Sequence, residues 1–380
     1  MNFDDIRPYR DAEIKDVIQE LLADDRFAKG LYSLLTEEEL VQHMRRNLSE
    51  VENVYDIQSR IMHPLLRRLF SFNTDGETCR GVDVLDKSKS HVFISNHRDI
   101  ILDAAFLNVL MHENGMSTTE IAIGGNLLIY DWIEYVVRCN RAFIVKRNLP
   151  IKELLAASRK LSHYIRETVT QRDTSVWIAQ REGRTKDGND QTQAAMLKML
   201  NMSNKKDIEE GFQELRLVPL SISYEIEPCG WSKVKELMGK KDNPKYVKTL
   251  EDDLRAMDAS LEDPVGRVDF NFGTPIDIDA VDFGDAKHTN AKLNVLAKHL
   301  DEQIYKNYKL WPNNYVAYDW LNNTNKYKGE YTTEDKKSFE ELTQQRLGKL
   351  GKPSEETIQY WLRMYANPVV NKEKVSNVLI

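Results

Sequence analysis

A chain of 380 residues, 41% of them hydrophobic, is long enough for one large domain with a helical addition or for two modest domains, with a substantial buried core. Its formal net charge of −7 argues against a general nucleic-acid binder, which is normally basic. Three cysteines, Cys79, Cys139 and Cys229, stand far apart in no CxxC pairing, which predicts a reducing compartment and neither a disulfide framework nor a zinc site.

The acidic, polar opening MNFDDIRPYRDAEIKD lacks the apolar core of a signal peptide. No window approaches the run of about 18 apolar residues that reads as a membrane span. Any membrane contact is therefore expected to be peripheral. Residues 1–85 are expected to be helical, with apolar residues at three- and four-residue spacing over Glu13–Ala23, Glu37–Leu48 and Val54–Leu69. The third segment sets Arg60, Arg67 and Arg68 beside Leu65, Leu66, Leu69 and Phe70. That pattern fits an amphipathic helix packed on the core, or a basic interfacial helix on anionic lipid.

From residue 86 to 284 short β-like runs alternate with helices. The runs are His91–Ser95, Glu120–Ile123, Ala142–Val145, Ser175–Ala179, Leu217–Tyr224 and Arg267–Phe272. Helix-like stretches fill 99–112, 127–138, 151–170, 190–201 and 245–260. The alternation predicts an α/β fold with a mixed, largely parallel sheet flanked by helices. Residues 285–380 read as a helical addition, through 285–308, 333–347 and 354–366. Within it Lys326–Lys337, rich in charge and threonine, is the expected mobile connection.

Four segments carry candidate chemistry. In Ser95-Asn96-His97-Arg98-Asp99-Ile100-Ile101-Leu102-Asp103 a histidine stands at a strand-to-helix turn, where a general base is well presented. Such a base needs an acceptor for its other ring nitrogen, and Asp99 and Asp103 compete for that role. Asp99 has a sufficient explanation in helix capping. Asp103 has none, lying between Ile100, Ile101, Leu102 and Ala104, Ala105, Phe106, where an unpaired charge is costly. Neither carboxylate shares a helix face with His97, so the histidine must lie in the turn, and the expectation falls on Asp103.

The second segment, Asn140–Arg147, is a short strand ending in two cations, by itself an ordinary solvated strand end. The third runs from the strand Val176–Ala179 into Gln180-Arg181-Glu182-Gly183-Arg184-Thr185-Lys186-Asp187-Gly188, a loop whose cations and glycines can hold a phosphate. It does not match the P-loop, which argues against an NTPase, and its plainer reading is a polar surface turn. The fourth, Leu217–Glu225, has Pro219 near its start and signals a buried strand.

In order and spacing, the four segments resemble the blocks of the glycerolphosphate acyltransferase family, over about residues 90–276. The resemblance implies that His97 is the general base, assisted by an aspartate. It implies that Phe143, Arg147, Glu182, Gly183 and Arg184 line a phosphate-bearing acceptor site and that Pro219 belongs to the wall near the acyl donor. It further implies acyl transfer in phospholipid biosynthesis, with an acyl carrier protein or coenzyme A thioester as donor and glycerol-3-phosphate or 1-acylglycerol-3-phosphate as acceptor. No bound cofactor or metal is implied, and the expected location is cytoplasmic, peripheral on the inner face of the cell membrane. A lysolipid with an amino-acid headgroup is an alternative acceptor, and a catalytically silent lipid- or carrier-binding protein an alternative class. The chain departs from the family in two places: the family's aspartate position holds Leu102, with Asp103 one residue later, and the third block reads Glu-Gly-Arg-Thr instead of Glu-Gly-Thr-Arg.

Overall fold

The computed structural model describes residues 1–35, 38–147, 149–243 and 245–376. A seven-stranded sheet runs in the order β1-β7-β6-β2-β5-β3-β4. The strands are β1 Thr74–Arg80, β2 Val92–Ser95, β3 Glu120–Gly124, β4 Ala142–Val145, β5 Val176–Ala179, β6 Leu217–Tyr224 and β7 Gly266–Phe272. From β6 to β4 every pairing is parallel; β7 joins β6 antiparallel, and β1 lies parallel to β7. The fold is therefore α/β with a mixed, largely parallel sheet flanked by helices.

The apolar strands bury both faces, as a sheet covered by helices must. Val92, Ile94, Val176, Ile178 and Leu217 face the helices Ile151–Thr170, Ala194–Asn201 and Thr289–Asn307. Phe93, Trp177, Val218, Leu220 and Ile222 face the helices His63–Asn73 and Leu102–Glu113. The edge of β4 is covered by the chain start, where the Ile144 N–H donates to the Ile6 carbonyl at 2.8 Å.

Three local expectations change. Thr74–Arg80, inside the stretch read as helical, is a strand. It is polar because it borders the sheet: Thr78 and Arg80 bind the Asp269 carboxylate of β7 at 2.6–2.7 Å, and no apolar run marks it. The second expected helical segment, Glu37–Leu48, is the third helix, Glu38–Ser49, and its expected first residue Glu37 lies outside the described residues. The segment Lys326–Lys337 is tied down. Lys326 pairs with Glu373, the Tyr327 N–H donates to Asp319 at 3.0 Å, and a Thr332–Asp335 capping box opens the helix Thr333–Gly348.

The N-terminal helices Asp11–Ala23, Asp25–Leu35 and Glu38–Ser49 pack with Asp131–Cys139 around Ile14, Val41, Leu48 and Ile57. They lead into a π-helical segment, Ile57–Met62, a form that recurs beside functional sites. Among the described residues no helix is long and apolar enough to cross a membrane. At the C-terminus, Glu355–Ser376 packs on Pro312–Asn322, Thr333–Gly348 and Gly230–Asp242 through Trp361, Phe339 and Val234.

Candidate active site

Ligand sites in parallel α/β sheets lie beyond the carboxyl ends of the strands, and the candidate residues here follow β2, β4 and β5. A cavity of about 2040 Å³ opens there, lined by His97, Arg147, Glu182, Gly183 and Arg184 among others. Drug-sized ligands occupy about 300–1,000 Å³, so this space suits a longer molecule.

β2 ends at Ser95, and the helix that follows starts only at Leu102. The intervening turn is organised by the two aspartates. Asp99 accepts hydrogen bonds from the Ile101 and Leu102 N–H groups at 2.8 Å through Oδ1 and from the Ser260 hydroxyl at 2.7 Å through Oδ2. It caps the helix and lies off the ring of His97. The fully buried Asp103 turns back into the turn, and its Oδ2 accepts from His97 Nδ1 at 2.8 Å, the Arg98 N–H at 2.7 Å and the Asp99 N–H at 3.0 Å. Oδ1 accepts the Tyr224 hydroxyl at 2.9 Å. With Asp103 as acceptor, Nδ1 carries the ring proton and Nε2 presents a lone pair. Among the described residues Nε2 has no hydrogen-bond partner. The ring packs edge-on against Trp177, with centroids 5.8 Å apart, and it lines the cavity.

The loop after β5 brings cations to the same space. Arg147 from the end of β4 meets Glu182 at 3.5 Å. Arg184 is 5% exposed, and its Nη1, like Nε of Arg181, is buried without a protein partner among the described residues. Lys186 donates to the Arg184 carbonyl at 2.7 Å and stands 3.6 Å from Glu236. Burial, then Arg184, Lys233 and Lys248, push the Lys186 ammonium down to about 7 against the pull of Glu236. Burial is the leading cause of that shift, and Arg184 and Lys186 together set two cations on the cavity lining.

The loop is locked to the histidine turn. The Thr185 N–H donates to the His97 carbonyl at 3.0 Å, and its hydroxyl donates to Asp190 at 2.5 Å. Asp190 binds the guanidinium of Arg98, a fully buried residue whose other carboxylate partner is Glu227 at 3.3 Å. Lys233 completes the network, donating to Glu227 at 2.5 Å and to the Arg98 carbonyl at 2.6 Å. The C-terminal helix Glu355–Ser376 buttresses the loop from behind. Asn367 donates to the Asp187 carbonyl at 2.7 Å, and a Cβ on Gly188 (φ +72°) would meet the Met364 carbonyl at 2.2 Å.

Much of the remaining lining is apolar, including Ile100, Ala104, Ile121, Ile123 and Ile133, and Leu21, Met44, Leu48, Ile61 and Leu65 from the N-terminal part of the chain, with polar and charged side chains such as Asn108, Lys160 and Asp258 between them. Two expected site residues are elsewhere. Phe143 is fully buried in the core beneath β4, its ring 5.3 Å from that of Tyr164, because alternation along the strand turns it away from Ala142 and Ile144. Pro219 is enclosed in β6, opposite Ile94 and packed by Gly273, and does not line the cavity. No local motif or spacing marks Tyr224, Asp190, Glu227 or Lys233 as site residues. The usable signal for Tyr224 was a tyrosine at the end of a buried strand, whose hydroxyl needs a partner.

No protein-family model matches the chain, and no curated protein matches it. Among solved structures it is similar to the 1-acyl-sn-glycerophosphate (LPA) acyltransferase PlsC from Thermotoga maritima. The identity is 13% and the TM-score 0.37, and the match covers 76% of this chain and 95% of that one.

Proposed function

We propose that this chain is an O-acyltransferase that moves a fatty acyl group from a thioester to the hydroxyl of a phosphate-bearing glycerolipid precursor. The observation that carries the proposal is the position of His97. Its carboxylate-oriented ring stands where a cationic loop and a long apolar space meet, so one cavity has places for a base, an anionic headgroup and an acyl chain. The resemblance of the four sequence segments to glycerolphosphate acyltransferases supports the same reading.

In the proposed reaction His97 Nε2 takes the acceptor's hydroxyl proton as the oxygen attacks the thioester carbonyl. The tetrahedral intermediate collapses, the carbon–sulfur bond breaks, and the imidazolium returns the proton to the departing thiolate. Asp103 orients the ring and stabilises its transient charge. Arg184 and Lys186, with Arg147 at the rim, hold the headgroup so that attack becomes effectively intramolecular. Burial of the acyl chain supplies about 0.8 kcal/mol per CH₂ along the apolar walls. The donor is an acyl carrier protein or coenzyme A thioester, and the acceptor glycerol-3-phosphate or 1-acylglycerol-3-phosphate.

The protein would act on a lipid surface as a peripheral partner. Phe72 (72% exposed), Val247 (80% exposed) and Leu154 rim the cavity, with Ile151 (87% exposed) beside Leu154. The experiment that tests the function is product analysis with purified protein, both thioester classes, the two glycerophosphates and a lysolipid with an amino-acid headgroup. Ester formation on a glycerophosphate supports the proposal. Transfer only to the amino-acid headgroup would change the acceptor, and transfer to none would leave a binding protein.

A further inference from the structure

β6 contributes no residue to the lining of the cavity, yet it grips the His97 turn at two points. The side-chain amide of Asn96 makes a paired contact with the backbone of Ile222, donating to its carbonyl and accepting from its N–H, each at 2.8 Å. This extends the β2–β6 pairing by one side chain beyond Ser95 and Leu220. Two residues further on, the Tyr224 hydroxyl reaches Asp103 Oδ1 at 2.9 Å. Tyr224 is 2% exposed, and its ring lies edge-on to Phe106 with centroids 6.3 Å apart. Burial, and then the Asp103 and Asp99 carboxylates, push its phenol well above the usual range, so it stays a donor.

The two oxygens of Asp103 have different duties. Oδ2 carries His97 Nδ1 and two backbone N–H groups, whereas Tyr224 is the one hydrogen-bond donor to Oδ1 among the described residues. A buried tyrosine needs some acceptor, and a purely structural bond would satisfy that need. Here the acceptor is the carboxylate whose other oxygen orients the histidine. A phenol donating to that carboxylate fixes its rotation and withdraws charge from the bond to the ring.

We infer that Tyr224 is a positioning residue for His97, acting through Asp103, and that β6 serves to hold the base instead of forming a substrate wall. The inference rests on the proposed role of His97 as base only in its kinetic consequence. The structural consequence can be read without turnover.

Tyr224→Phe keeps the ring and removes the donor. Two readouts are needed: the His97 Nδ1–H proton resonance, assigned by its disappearance in His97→Gln, and the kinetics of acyl transfer. The resonance should shift in Tyr224→Phe, and kcat should fall about tenfold with both KM values within about twofold of wild type. If Tyr224→Phe does not fold, 3-fluorotyrosine at position 224, a stronger donor of nearly unchanged volume, should shift the resonance in the opposite sense to a lost donor. An unmoved resonance, or a kcat within about twofold of wild type even in a less stable protein, overturns the inference. Full activity in His97→Gln would instead overturn the base reading and leave the resonance test standing.

Discussion

His97 and Asp103, six positions apart, share a 2.8 Å hydrogen bond because the chain between them is a turn that ends only at Leu102. A regular helix through this segment would have sent the two side chains to different faces. Asp103 also accepts the Arg98 and Asp99 N–H groups, so the same carboxylate shapes the turn and holds the ring.

The two aspartates therefore have separable roles. Asp103→Asn should lower turnover by about 10²–10⁴-fold, since it disturbs the acceptor of the ring proton and the charge that supports the imidazolium. Asp99→Asn should cost mainly stability, about 1 kcal/mol for a weakened cap. Kinetics and thermal unfolding of both variants check this. An inactive but stable Asp99→Asn beside an active Asp103→Asn would exchange the assignments.

Acceptor binding should depend on pH through Lys186. Its ammonium, pushed down to about 7, is charged below that pH and neutral above it. Affinity for glycerol-3-phosphate should therefore fall as pH rises through about 7, and a single charge-assisted contact can account for about a tenfold change. Calorimetric titration of wild type and Lys186→Met across this range is the check. Lys186→Met should bind weakly with a flattened profile, and an equally steep profile in the variant would exclude Lys186 as its source.

Arg98→Met should be strongly destabilising. It would leave Asp190 and Glu227 buried beside the single remaining cation Lys233. Breaking such a network from one side typically costs about 3–5 kcal/mol. Denaturant unfolding should show a loss on that scale. A loss below about 1 kcal/mol would mean that water or rearrangement replaces the guanidinium.

Lipid-surface binding should depend more on the apolar rim than on the arginines of the consecutive segments Ile57–Met62 and His63–Asn73. Arg67 is already engaged by Glu77 and Glu113, and Arg60 by Glu50 at 3.0 Å. Ile151→Asp with Val247→Asp should reduce sedimentation with anionic vesicles more than Arg60→Ala does. The reverse order would restore the basic-helix reading.

The parts of this account that were legible in sequence share a physical cause. β2 to β7 are apolar runs or end in one, and burial wrote that pattern directly into the chain. Asp103 stood out because a carboxylate inside Ile100–Phe106 demands a partner. β1 did not stand out, since Thr78 and Arg80 pair with Asp269 at a sheet edge and need no apolar face. Motif position implies Phe143 at the acceptor site and Pro219 in the donor-side wall, but the motif does not encode which way each points. The Arg98–Asp190–Glu227–Lys233 network joins segments far apart in the chain, and no local spacing announces it.

A general base at His97 makes acyl transfer depend on that one side chain, which a comparison of wild type with His97→Ala tests. Purified protein is supplied with an acyl thioester and a glycerophosphate acceptor, and ester product is quantified alongside circular dichroism and thermal unfolding. Wild type should transfer the acyl group, and a fully folded His97→Ala should lose about 10²–10⁴-fold of that rate. Transfer by folded His97→Ala within a few-fold of wild type would contradict a base role for His97.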